Sequence, residues 1–267
     1  MTADSELING IVRATHEAGA ALAKRARPAP ARTMREFRAL FDAADGAALD
    51  IIRPQLSRLR PDAAWGDEID TVLVGGEQWV VDAIDGAVQY LQDLPQWSVS
   101  ATLLRDGQPA VAVLHSPGLA ETYVGVADGG ATRNDAPIAP SAKTDLPATL
   151  FATSQPPFAG RDPEAVRRSA ASLASVLLVA GAVRNLGPTS WQVADVASGR
   201  LDGFWEFGAD DGNLLGAALI AREAGAIVTD AHGRPWAAGA DSIVVAPPQL
   251  HPALLTAVTQ HQIKLSA

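Results

Sequence analysis

The 267-residue sequence contains no cysteine, so disulfides and thiolate metal sites are excluded and nothing ties the chain to an oxidising or reducing compartment. Aromatic residues are scarce, at 5%. The six tryptophans, Trp65, Trp79, Trp97, Trp191, Trp205 and Trp236, are dispersed, which suits core or pocket walls and not a base-stacking platform. Basic residues are outnumbered, 21 Lys and Arg against 30 Asp and Glu, for a net charge of −9. Such a chain is a poor partner for nucleic acid or an anionic membrane surface. No apolar run reaches the roughly 18 residues that span a bilayer. The five histidines show no zinc-helix spacing. Also missing are a P-loop, a Gly-x-Ser-x-Gly elbow and a dinucleotide fingerprint followed by an acid. Met1 to Glu6 is polar and acidic, unlike a signal peptide, and a cytoplasmic location is expected.

What is present is ordinary for a folded protein: 48% hydrophobic and 19% charged residues, which excludes intrinsic disorder. Glycine and proline, 23 and 18 residues, follow no short period, so collagen-like and low-complexity readings fall as well. Apolar residues at helical spacing predict helices over 6–27, capped by Asp4 or Ser5, and over about 33–59, where Gly46 and Pro54 strain continuity. The middle of the chain changes to strand-like alternation, with strands predicted at 71–74, 78–82, 99–105, 108–115, 121–127 and 131–138. Asp106-Gly107 and Asp128-Gly129-Gly130 supply hairpin turns, so this region reads as an antiparallel meander. Beyond about residue 139 strands (150–153, 182–186, 203–206, 227–229, 242–245) alternate with helices (163–178, 189–198, 213–224, 251–263), the pattern of an α/β half. The Pro/Ser/Lys stretch 137–147 marks a boundary between an N-terminal α+β subdomain, 1–140, and a C-terminal α/β subdomain, 141–267.

The densest chemical clues are acids. Asp67, Glu68 and Asp70 precede the run Trp79, Val80, Val81, Asp82, Ala83, Ile84, Asp85, Gly86. Here an apolar strand ends in two carboxylates, followed by a glycine that permits a tight turn. Two close, partly desolvated carboxylates repel each other. A hard divalent cation with oxygen ligands, magnesium in the first place, relieves that repulsion. Backbone N–H groups after Gly86 suit a phosphate. The same pattern also suits solvated aspartates at a strand end. A second cluster is Glu206 with Asp210, Asp211 and Asn213, where Asp211 or Asn213 equally serves as a helix cap. A third is the turn at Gly187, Pro188, Thr189 and Ser190, whose helix start faces either an anion or its own cap.

Taken in order, these segments resemble the inositol monophosphatase family of magnesium-dependent, lithium-sensitive phosphomonoesterases. The carrying motifs are Gly66, Asp67 and Glu68, the run 79–87, Gly199 to Glu206, and residues 212–225 ending in Arg222, Glu223, Ala224 and Gly225. The resemblance covers nearly the whole chain. It implies an α/β fold with α-β-α-β-α layers, an antiparallel sheet in the N-terminal half, a homodimer, a small phosphorylated metabolite as substrate, and metal-activated water as nucleophile. Carried over residue by residue, Asp82 bridges metals and Asp85 binds metal and touches substrate. Asp67, the Ile84 carbonyl and Asn213 complete the metal set. Asp45 helps activate water, Gly86 and Ala87 offer N–H groups to the phosphate, and Gly187, Thr189 and Glu206 line the substrate pocket.

The departures from the family pattern concentrate at one centre. Asp67 replaces a glutamate, Ala83 a proline, and Met34 stands near a common lysine. Ala87 replaces the threonine whose hydroxyl relays between water and the helix acid. Asn213 replaces a metal aspartate, with Asp211 two residues away as an alternative ligand. Two functions follow: a Mg2+-dependent phosphatase acting on a small phosphorylated polyol, or a catalytically impaired or repurposed member that serves as a binding or regulatory protein.

Overall fold

The computed structural model describes residues 3–26, 28–66 and 72–260. Two long helices, α1 (Ala3–Lys24) and α2 (Met34–Leu59), lead into a seven-stranded sheet of β1 (Ala64–Trp65), β2 (Glu77–Asp85), β3 (Ser98–Arg105), β4 (Gln108–Ser116), β5 (Glu121–Val126), β6 (Gly130–Arg133) and β7 (Ala136–Pro137), with the short α3 (Ala87–Leu91) between β2 and β3. The second half holds β8 (Leu150–Thr153), α4 (Pro163–Leu177), β9 (Ala182–Arg184), α5 (Thr189–Ala197), β10 (Gly203–Phe207), α6 (Asp211–Glu223), β11 (Ile227–Thr229), β12 (Ser242–Ala246) and α7 (His251–Thr259). No helix of the described residues is long and apolar enough to cross a membrane.

The first sheet runs in sequence order, antiparallel from β2 to β7, with β1 parallel to β2. Asp106 and Gly107, both at positive φ (49° and 76°), make the predicted two-residue hairpin between β3 and β4. Three expectations are corrected. The strand expected at 131–138 is two, because Asn134 and Asp135 adopt φ of 48° and 64° and turn the chain after Arg133. Asparagine and aspartate tolerate that region better than other side chains. Residues 72–74 form no strand. α1 begins at Ala3, ahead of the expected cap. α2, in contrast, runs unbroken through Gly46 and Pro54. Its Thr33 cap accepts a 3.2 Å bond from the Glu36 N–H, and Glu36 Oε2 in turn accepts from the Arg32 N–H at 2.7 Å.

The second sheet has the order β11-β12-β10-β8-β9, with β8, β9 and β10 parallel and β12 antiparallel to both its neighbours. The period of two along β2 explains the layering. Trp79, Val81 and Ala83 pack on α1 and α2, while Val80 joins the core built on α5 and α6. On β10, Phe204 faces that same central layer, and Trp205 and Phe207 face α4 and α7. The result is five layers: α1/α2, sheet, α5/α6, sheet, α4/α7. α6 is sandwiched between two sheets, so it is apolar all round and built from small residues. At Gly216 an added Cβ would lie 2.3 Å from Thr102 Oγ1 and 3.2 Å from Ala112 Cβ. Glycine there lets α6 lie against β3 and β4.

Candidate active site

In a regular strand, residues three apart point to opposite faces. β2 breaks that rule where the two acids stand. Asp82 pairs with Ser100 and Asp85 with Ser98, so three steps on β2 match two on β3, and the register shifts between the two acids. This bulge turns both carboxylates toward one face. Asp82 is half-buried and accepts a 2.9 Å bond from the Ile84 N–H. Asp85 is buried at 3% exposure. Gly86 follows at φ 93°, and an added Cβ would meet the Gln96 carbonyl at 3.1 Å and Pro188 Cβ at 3.4 Å. The sharp turn that starts α3 therefore admits only glycine, and it rests directly on the 187–190 turn.

That second turn delivers the start of α5 to the first acid pair. Ser190 Oγ and Ser98 Oγ both donate to Asp85 Oδ2, the latter at 3.2 Å. Thr189 Oγ1 lies 2.9 Å from Ser154 Oγ and donates to Glu206 Oε2 at 3.2 Å. Glu206 reaches this point because β10 alternates: Trp205 and Phe207 look outward, so Glu206 looks toward α5 and α6. Gly187 is buried, and an added Cβ would collide with the Gln89 amide at 2.0 Å. The structure thus brings Asp85, Gly86, Gly187, Thr189 and Glu206 together from three distant segments.

One residue that the sequence names in an acidic cluster, without a site role, also lies here. Asp210, just before α6, is 6% exposed. Its Oδ1 accepts a 2.7 Å bond from Asn213 Nδ2, and it lies close to both Asp85 and Glu206. Its only sequence signal is membership in an acidic pair at a helix start, which reads equally well as capping. Asp211, the first residue of α6, caps nothing: no side chain caps this helix, and its two oxygens accept from the Gly239 N–H at 3.0 and 2.8 Å.

Burial is the main cause of the electrostatics here. It pushes the Asp85 carboxyl up to about 6 against the stabilising serine hydroxyls. It lifts Glu206 well above the usual carboxylate range, and the neighbouring Asp210 adds repulsion and a hydrogen bond that holds the proton on Glu206. Asp210 is pushed to about 7 by burial, opposed by bonds from Asn213 and Glu206 and reinforced by the charge of Asp85. Glu206 Oε1 and Asp210 Oδ2 are buried and receive no hydroxyl or N–H donor among the described residues. Asp45, on α2, is half-buried. Its carboxyl is raised to about 6 by burial and by Asp42, against Arg53, and its Oδ1 is buried without a partner among the described residues.

Asp67, Glu68 and Asp70 lie outside the described residues. Ala87 opens α3 without a hydroxyl to offer Asp45, and Met34 is exposed. Among the described residues no three acidic or histidine side chains gather closely enough to hold a metal ion by themselves. The donor chemistry nonetheless suits a hard cation. The donors are all oxygen, the carboxylates are buried or half-buried, three of them (Asp45, Glu206 and Asp210) carry oxygens without a hydroxyl or N–H donor among the described residues, and burial resists ionisation of Asp45, Asp85, Glu206 and Asp210. Magnesium is commonly held by one or two carboxylates together with water and substrate phosphate.

The sequence model of the inositol monophosphatase family matches residues 3–263. The chain is 33% identical over 218 residues to an inositol-1-monophosphatase of Mesorhizobium japonicum, covering 80% of this chain and 81% of that protein. It is 31% identical over 184 residues to a putative Nus factor SuhB of Neisseria meningitidis serogroup B, covering 69% of each. Its fold superposes on the inositol monophosphatase of Anabaena (Nostoc) sp. PCC 7120 with a TM-score of 0.82 at 26% identity, covering 97% of both chains. With the five layers and the converging carboxylates, these matches establish that the chain belongs to the inositol monophosphatase family.

Proposed function

We propose that this chain is a magnesium-dependent phosphomonoesterase acting on a small phosphorylated polyol. Family membership supports a phosphatase of this type. The observation that carries the finer reading is the β2 bulge, which turns Asp82 and Asp85 to one face beside Gly86 and Glu206. Asp82, Asp85 and the Ile84 carbonyl would hold magnesium, with Asp67 and the region of Asn213 contributing. When bound, the ion neutralises phosphate charge and lowers the pKa of a water ligand.

The chain's own residues do the rest. Ser98 and Ser190 fix the Asp85 carboxylate in place. The N–H groups of Gly86 and Ala87 receive phosphate oxygens. Glu206, oriented by Thr189, accepts a hydrogen bond from a substrate hydroxyl, and the Gly187 turn closes the pocket wall. Asp45 accepts a proton at its unpartnered Oδ1. The protein works as a cytoplasmic homodimer in this reading, checked by light scattering coupled to size exclusion. The direct test of function is phosphate release from inositol monophosphate and from sugar phosphates, with and without magnesium. Magnesium-dependent turnover is expected, and no release from any member of the panel refutes the proposal.

A second reading is favoured by two specific observations. Ala87 brings no hydroxyl, and the Asn213 amide is committed to Asp210. A pocket so altered suits a binding or regulatory protein, in line with the SuhB name of one relative. In that case phosphate release is negligible, while Ala87→Thr combined with Asn213→Asp raises it sharply.

A further inference from the structure

The side chain of Gln89, on α3, lies across the two glycine turns that frame the site. An added Cβ on Gly86 would stand 3.4 Å from Gln89 Oε1. One on Gly187 would stand 2.0 Å from Gln89 Nε2 and 3.2 Å from its Cδ. Glycine at both turns, with φ of 93° and 48°, leaves the gap that this carboxamide fills. Gln89 is half-buried, yet its side chain makes no hydrogen bond to another described residue. The polar side chains nearby are otherwise engaged. Asn185 Nδ2 is 3.5 Å from Gln155 Oε1, and Arg184 turns its guanidinium back to the Val183 carbonyl at 2.8 Å. Gln89 is therefore a neutral, uncommitted amide at the point where the phosphate turn meets the pocket wall. A carboxamide offers donors on one side and an acceptor on the other, which matches a pair of adjacent hydroxyls.

We infer that Gln89 determines specificity for the alcohol part of the substrate, its carboxamide bonding adjacent hydroxyls of an uncharged polyol whose phosphate rests on the Gly86 and Ala87 N–H groups. A site built to bond a substrate hydroxyl discriminates against an ester that lacks one, because its own polar group is then left unpaired. The substrate class that follows is a monoester whose leaving alcohol carries vicinal hydroxyls. This inference rests on the phosphomonoesterase reading, and the experiment separates the two.

The experiment measures kcat and KM with Mg2+ for inositol monophosphate, whose alcohol is a ring of hydroxyls, and for p-nitrophenyl phosphate, whose alcohol has none. It compares wild type, Gln89→Met and Val88→Ala. Methionine keeps the unbranched reach that fills the gap between the turns and removes the amide. Circular dichroism checks the fold, and Gln89→Leu serves in its place if needed. The expected result for Gln89→Met is a fall of about tenfold or more in the ratio of kcat/KM for inositol monophosphate to that for the aryl ester, carried by KM. Val88→Ala, at an exposed neighbour, should keep the wild-type ratio. An unchanged ratio in Gln89→Met overturns the inference and leaves the phosphatase reading standing. Equal loss with both esters has the same meaning, since it marks Gln89 as a mere support for the two turns. An equal shift of the ratio in Val88→Ala, or wild type that hydrolyses the aryl ester alone, also overturns it. If wild type hydrolyses neither ester, the phosphatase reading falls and calorimetric titration with inositol monophosphate decides. Binding about tenfold weaker in Gln89→Met then supports the role of Gln89, whereas equal binding, or none by wild type, overturns it.

Discussion

Replacing Asp210 with asparagine should stabilise the metal-free protein, by an amount that depends on pH. Asp210 ionises in the fold at about 7, against 3.8 in an ordinary environment, chiefly because it is buried and secondarily because Asp85 and Asp211 repel it. The folded state therefore holds this proton more tightly than the unfolded state does. The associated stability is full below pH 3.8 and is lost as pH rises toward about 7. At ~1.4 kcal/mol per tenfold, the full span sets an upper limit of about 4 kcal/mol. Sharing of the Glu206 proton and relaxation at the site reduce it. For a chain of this size each kcal/mol moves the melting point by roughly 2–4 °C, so at pH 8 the variant should melt up to ~10 °C above wild type. Near pH 4 the two should coincide. The measurement is thermal unfolding of both proteins in chelator between pH 4 and 8. A difference that does not change with pH would refute the reasoning, as would a variant less stable than wild type at pH 8.

Three further outcomes are expected. Asp85→Asn should lower magnesium-dependent phosphate release by on the order of 10² or more, measured with inositol monophosphate, while the fold persists by circular dichroism. Glu206→Gln should raise KM more than it lowers kcat if Glu206, held by Thr189, accepts a substrate hydroxyl as proposed; equal loss in kcat and kcat/KM would place it in the chemical step. Gly216→Ala should destabilise the protein by about 1–3 kcal/mol in denaturant unfolding, since its Cβ would lie 2.3 Å from Thr102 Oγ1 on the facing strand.

Much of this protein is legible in its amino-acid order. Period-two and period-3.6 patterns place the meander and the alternating half. Asp106-Gly107 announces its hairpin because only a few residue types accept positive φ at low cost. The acid pair at Asp82 and Asp85, the turn glycine and Glu206 stand out by residue type and by motif order. The turn at Asn134-Asp135 escapes such a reading because both neighbouring segments share a strand-like composition.

Amino-acid order thus specifies the elements, their succession, the family likeness and which acids are worth watching. These follow from local propensity and from chemistry carried by residue type. Which of those acids meet is settled in three dimensions. Whether Asp82 and Asp85 share a face depends on a bulge in pairing with β3, and whether Asp210, Asp211 or Asn213 enters the site depends on how α6 is clamped between two sheets. Within one helical turn the chain offers three similar carboxyl or amide side chains. Packing sends Asp211 to Gly239, Asn213 to Asp210, and Asp210 into the company of Asp85 and Glu206, because burial and direction are properties of the assembled layers and not of any one segment.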